Sequence, residues 1–235
     1  MGFDKLSPSE MEGGLPPQEH SGANAMNIPD GRTTNWLGGA IAGAFVLSFF
    51  LWGIDYAAVF GGFIPLRASG GLDVPGGIPV WLTPLSAAFL HAGLLHLSLN
   101  MLMLLFCGRF VEKVLGGKLL LLLFLIGAYA AAGMEFAFHP QSDNPMIGAS
   151  GAISAIIGTY ALLYSQQEVR AIGPISANVV RILWLAAAWT IIQVMVGIVS
   201  LGGIGRIAIG AHIGGFVAGL LLTRPLIYAR FKRGW

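Results

Sequence analysis

Gly148-Ala149-Ser150-Gly151 stands where an irregular loop, residues 139–145, gives way to an apolar run, residues 146–165. A hydroxyl flanked by glycines at such a junction is open to a reactant. Gly151 has no side chain to shield it, and glycine lets other backbone come close. Small residues also serve where membrane helices touch, so packing is the competing reading of the tetrapeptide. A second stretch, Gly210-Ala211-His212-Ile213-Gly214-Gly215, lies in the last apolar segment and shifts the balance. A serine and a histidine inside a membrane need each other or need water, because a buried polar group without a partner costs roughly 2–7 kcal/mol.

Working outward, six apolar segments follow residue 35: 36–54, 84–108, 119–138, 146–165, 182–201 and 207–223. A spanning helix needs about 20 residues, with a range of about 17 to 25, and all six qualify. The expected fold is an all-α polytopic membrane protein, a six-transmembrane-helix bundle over residues 36–230. Residues 1–35, polar and rich in Pro, Gly, Ser and Glu, are expected to form a disordered cytoplasmic tail. Residues 231–235 are expected to form a basic cytoplasmic one. No secretory leader is expected, because the first apolar run starts only at Trp36.

Composition agrees. The 235 residues are 55% hydrophobic and only 10% charged, against about 25% charged in an average soluble domain. A net charge of +2 gives no nucleic-acid signal. The single cysteine, Cys107, excludes an internal disulfide, and no phosphate loop, CxxC pair or HExxH is present. Neither a metal nor a cofactor is expected.

Lys and Arg set the orientation. Eleven of the thirteen fall on the side of the two termini, and only Arg67 and Arg206 fall on the other. Both termini are therefore expected in the cytoplasm, with the long loop 55–83 outside. That loop carries Phe60, Phe63 and Trp81 among Gly and Pro, which suits a segment lying partly in the interface. On this topology Asn100, Ser150 and His212, on three separate helices, reach a similar depth of roughly 6–9 Å in the outer half.

The chemistry follows from those residue types. A serine hydroxyl is a poor nucleophile until a neighbouring base accepts its proton, and histidine is the usual base near neutral pH. Ser150, Ser154 and Gly158 share one helix face, and His212, Gly215 and Gly219 share another. Both faces are small, so the two helices can approach closely. His96 and Asn100, four apart on the second helix, can supply donors for an oxyanion together with the Ser150 backbone N–H. No Asp or Glu lies in 146–165 or 207–222, so the expectation is a Ser–His dyad. Glu135 is expected at the interface and His139 in solvent. His91 and His96, five apart, do not share a helix face as a metal pair would.

Three motifs then carry a resemblance. Phe89-Leu90-His91-Ala92-Gly93-Leu94-Leu95-His96-Leu97-Ser98-Leu99-Asn100-Met101 resembles the FLHxGxxHLxxNM signature of the rhomboid intramembrane serine proteases. Gly148 to Gly151 resembles their GxSG motif, and Ala211 to Gly215 their AHxxG motif. Order, spacing and helix count agree over roughly residues 36–224. The resemblance implies Ser150 as nucleophile, His212 as base, and His96 and Asn100 as oxyanion donors. It implies structural roles for His91, Gly148 and Gly151, and packing roles for Gly215 and Gly219. It also implies transmembrane protein substrates that enter laterally, by a gate at the fifth helix and loop 202–206, and a bacterial cytoplasmic membrane as the location. Many relatives have an aromatic ring four positions after the nucleophile; here that position is Ser154, and a water or a bulky neighbour is expected to fill the space. The family's Trp-Arg pair in the first outer loop is missing. Two other functions compete: a catalytically dead relative, which the presence of both Ser150 and His212 opposes, and a channel, which would need intramembrane charges along a pathway.

Overall fold

A computed structural model describes residues 28–165, 169–200 and 208–233. The first 27 residues of the expected tail and the whole of loop 202–206 lie outside the described residues. The order is α1 (Arg32–Leu51), α2 (Ile54–Gly61), α3 (Pro65–Ala68), a 3₁₀ turn (Val80–Leu82), α4 (Thr83–Ala87), α5 (Leu94–Leu115), α6 (Gly117–Phe138), α7 (Ser150–Tyr164), α8 (Ala177–Ser200) and α9 (Ile209–Arg233). The six expected segments correspond to α1, α5, α6, α7, α8 and α9, an all-α membrane bundle. Large apolar side chains on its outside, such as Phe50, Leu95 and Trp184, suit a surface that meets lipid.

Helix α7 is the hub. It packs on α5, α6 and α9, and Ala149, Ala152, Ile153, Ala155 and Ile156 are at most 1% exposed. Its contact with α9 is as close as the two small faces suggest. A Cβ on Gly215 would run into the Gly151 carbonyl oxygen, one on Gly219 into that of Ala155, and one on Gly158 into that of Phe216. The close approach lets Thr159 Oγ1 donate to the Gly219 carbonyl (3.1 Å), while Thr223 Oγ1 donates to the same carbonyl (2.7 Å). The Thr159 bond crosses between α7 and α9, while that of Thr223 lies within α9; an interhelical bond of this kind adds to packing where hydrocarbon offers polar groups no other partner.

Helix starts are held from neighbouring helices. Glu112 on α5 accepts from the Thr33 and Thr34 N–H groups (2.9 and 2.8 Å) and from Thr34 Oγ1 (2.7 Å). A carboxylate there satisfies otherwise orphan donors and favours the positive end of α1. This start at Arg32 places the helix four residues before the first apolar residue, Trp36. At the other end of the chain α9 runs ten residues past Thr223 and carries the last basic cluster on helix.

Two segments differ from the expectation. Residues 84–108 do not form one helix: α4 ends at Ala87, and Ala88, Phe89 and Leu90 make tighter i−3 bonds before α5 starts at Leu94. His91 therefore stands in a loop. Residues 146–165 likewise begin as extended chain, and α7 has only 15 residues. At 1.5 Å per residue it covers about 22 Å of an apolar thickness of about 30 Å. The cause lies at Gly148, whose φ of +119° is open only to glycine. Before it, Met146 and Phe63 exchange both backbone hydrogen bonds (3.0 and 2.8 Å), tying the loop to the α2–α3 connection. Loop 55–83 is thus a folded cover of two short helices and a turn. Phe63 is buried in it, while Trp81 faces outward.

Candidate active site

The loop ahead of Ser150 is clamped residue by residue. The Gly148 N–H donates to the Ala87 carbonyl (2.9 Å), and the Ala149 N–H donates to His91 Nε2 (3.5 Å). His91 is 2% exposed, with the Phe45 and His96 rings beside it. The His96 ring lies directly on Gly148. A Cβ there would sit 2.6 Å from His96 Cε1 and 3.7 Å from Ser150 Oγ. Gly148 thus has two reasons to be glycine, a backbone angle and an imidazole in the place of a side chain.

Ser150 follows as the first residue of α7, and His212 sits in the first turn of α9. The two meet: the Ser150 hydroxyl donates to His212 Nε2 at 2.7 Å. The contact is possible because Gly151 and Gly215 let the helix backbones close beneath it. Ala149, the residue before α7, has no side chain that can cap the helix. The first N–H groups of α7 are therefore free to face an anion, aided by the positive end of the helix.

On its far side His212 meets a residue that the sequence reading passed over. Nδ1 lies 2.8 Å from Oε1 of Gln193, on α8. A carboxamide oxygen only accepts, so Nδ1 carries the proton and Nε2 turns its lone pair to the serine. Gln193 is 6% exposed. One turn earlier on α8, Trp189 Nε1 donates to the His212 carbonyl (3.2 Å), and its ring stacks on Phe216 at 4.7 Å. The signal was present in the sequence, since Gln193 is the one carboxamide in the largely apolar segment 182–201, whose other polar side chains are the hydroxyls of Thr190 and Ser200.

Glu135 has a role that its place in the sequence did not suggest. It is 9% exposed. Oε2 accepts from the Ala211 N–H (3.3 Å), and Oε1 lies 3.1 Å from Nδ1 of the half-solvated His139. Its carboxylate thus caps the helix that carries His212, one residue before it.

Asn100 and Ser154 are near but engaged elsewhere. Asn100 Nδ2 donates to the His96 carbonyl (2.8 Å), so its amide is held within α5. Ser154 Oγ donates back to the Ser150 carbonyl (2.7 Å) and makes no bond to His212. The space beside Ser154 is taken by the α9 backbone: a Cβ on Gly215 would be 3.2 Å from Ser154 Cβ. The Gly215 backbone is thus one neighbour found beside Ser154. Among the described residues no group of three His, Cys, Asp or Glu could hold a metal ion.

A hydroxyl bonded to a neutral imidazole, beside uncapped N–H donors, can attack a carbonyl carbon and pass its proton to the ring. Comparisons with known proteins agree with that chemistry. Residues 80–229 match the model of the Rhomboid domain. The chain is similar to RHOMBOID-like protein 4 of Arabidopsis thaliana, 33% identical over 175 residues, which are 73% of this chain and 41% of the relative. It is similar to the rhomboid protease GluP of Bacillus subtilis (strain 168), 32% identical over 149 residues, 62% of this chain and 26% of the relative. It is also similar to the rhomboid protease GlpG of Serratia proteamaculans (strain 568), 32% identical over 139 residues, 59% of this chain and 45% of the relative. The chain spans less than half the length of each of these relatives.

Proposed function

The chain belongs to the rhomboid family, and from that premise we propose that it is an intramembrane serine endopeptidase acting through Ser150 and His212. The observation that carries the proposal is the 2.7 Å bond between Ser150 Oγ and His212 Nε2, made across two membrane helices. Ser150 Oγ attacks the carbonyl carbon of a substrate peptide bond while His212 Nε2 takes its proton. The oxyanion is met by the Ser150 N–H at the start of α7 and by His96, whose ring already lies against Gly148. Asn100 joins them by turning its amide away from the His96 carbonyl. His212 then returns the proton to the leaving amine, and water hydrolyses the acyl-enzyme.

The substrates are transmembrane proteins, cut within or next to a spanning segment. The balance of basic residues supports cytoplasmic termini. The active site then opens toward the outer face, and the compact six-helix form supports a bacterial cytoplasmic membrane as the location. The test is cleavage of a single-span reporter protein in proteoliposomes. Wild type is expected to release a fragment, and Ser150→Ala and His212→Ala are expected to release none while still inserting. Release by Ser150→Ala overturns the proposal.

A further inference from the structure

The two-residue reading leaves the imidazole held from one side only. In many Ser–His sites a third group accepts from the far ring nitrogen and fixes the tautomer. Among the described residues no carboxylate does this. Glu135 faces the Ala211 N–H, and the other imidazoles near the site are placed elsewhere, His96 on Gly148 and His91 against the Ala149 N–H. The far nitrogen of His212 instead meets the carboxamide oxygen of Gln193 on α8.

We propose that Gln193 is the positioning residue of the proposed active site, the third member of a Ser150–His212–Gln193 arrangement. The inference rests on the reading of Ser150 and His212 as nucleophile and base. Three observations carry it. Gln193 is buried in a largely apolar segment, where an unpaired carboxamide would be costly, and His212 Nδ1 is the group it meets. Its oxygen, as acceptor, places the imidazole proton on Nδ1 and leaves Nε2 free to accept from Ser150. Trp189, one turn away on the same face of α8, binds the His212 carbonyl, so one helix face holds both backbone and ring of the base. The same face answers the missing aromatic ring at Ser154. The base is oriented from α8 rather than from beneath the nucleophile. A neutral carboxamide in the third place is chemically sufficient, as the Cys-His-Asn proteases show.

The experiment compares three Gln193 variants with wild type in reporter cleavage, with KM taken as mole fraction of substrate in lipid, and with Ser150→Ala alongside. Gln193→Met keeps length and apolar packing but accepts no hydrogen bond from Nδ1. It is expected to lower kcat by about 10-fold with KM within about 2-fold, since one decade is about 1.36 kcal/mol, the worth of one net hydrogen bond. Gln193→Glu restores an acceptor at the same point and is expected to recover most of kcat. Gln193→Ala is expected to behave as Met in kcat but to lose thermal stability as well. Wild-type kcat in the Met variant overturns the inference. So does an equal loss in the Met and Glu variants, or a change confined to KM. If Ser150→Ala itself cleaves, the underlying reading of the site has failed instead.

Discussion

Gly215→Ala is the most direct perturbation of the helix approach that builds the site. The added Cβ would overlap the Gly151 carbonyl oxygen and lie 2.9 Å from its carbon and 3.2 Å from Ser154 Cβ. An ordinary carbon contact is about 3.5 Å, so the carbon alone requires about 0.6 Å and the oxygen more. Helical backbone in the first turn of α7 cannot swing aside as a side chain can, so α7 and α9 part by about 1 Å. The Ser150–His212 distance of 2.7 Å then opens beyond hydrogen-bond reach. A misplacement of about 1 Å can cost about 10²-fold in rate, and overpacking about 1–3 kcal/mol in stability. Reporter cleavage and the thermal midpoint in detergent are measured together, with two companions. Gly43→Ala meets nothing within 4 Å and is expected to match wild type. Gly219→Ala overlaps the Ala155 carbonyl a turn further from His212 and is expected to lose similar stability but less activity. Wild-type activity and midpoint in Gly215→Ala would refute the claim that this contact sets the geometry.

Other predictions follow from single contacts. Asn100→Ala is expected to lower kcat by about 10², the usual cost of one oxyanion donor; an unchanged rate removes Asn100 from the site. Ser154→Ala loses only the bond to the Ser150 carbonyl, about 1 kcal/mol, and is expected to stay active. Ser154→Phe is expected to misfold, because the α9 backbone fills the space, and a stable, active Phe variant contradicts this. Glu135→Ala uncaps α9 beside His212 and is expected to lower stability by about 1–3 kcal/mol, whereas Glu135→Gln, which keeps an acceptor, is expected to lose less; thermal unfolding decides. A reporter fused after Trp235 is expected to be active only in its cytoplasmic form, and activity outside would reverse the topology.

The helix count, Ser150, His212 and the small faces between them were legible in the sequence, because spanning length, helical spacing and polar groups in hydrocarbon are local signals. The rest depends on contacts between distant segments. Gln193 carries no motif; only α8 packing on α9 reveals its partner. Glu135 reads only as a residue near the end of α6, and the start of α9 alone shows what its carboxylate binds. Residues 146–149 are apolar enough to continue a helix, and what stops them is the backbone angle of Gly148 together with the His96 ring. Ser154 suggested a gap because its side chain is small, and the closeness of the α9 backbone at Gly215 is visible only in the packing of the two helices.

The central claim is that Ser150 is a nucleophile because His212 makes it one. Peptide mapping after reaction with a fluorophosphonate tests it in one measurement. A covalent adduct is predicted on Ser150 in the wild type and none in His212→Ala. An adduct on another serine, or equal labelling of Ser150 without His212, would contradict the account.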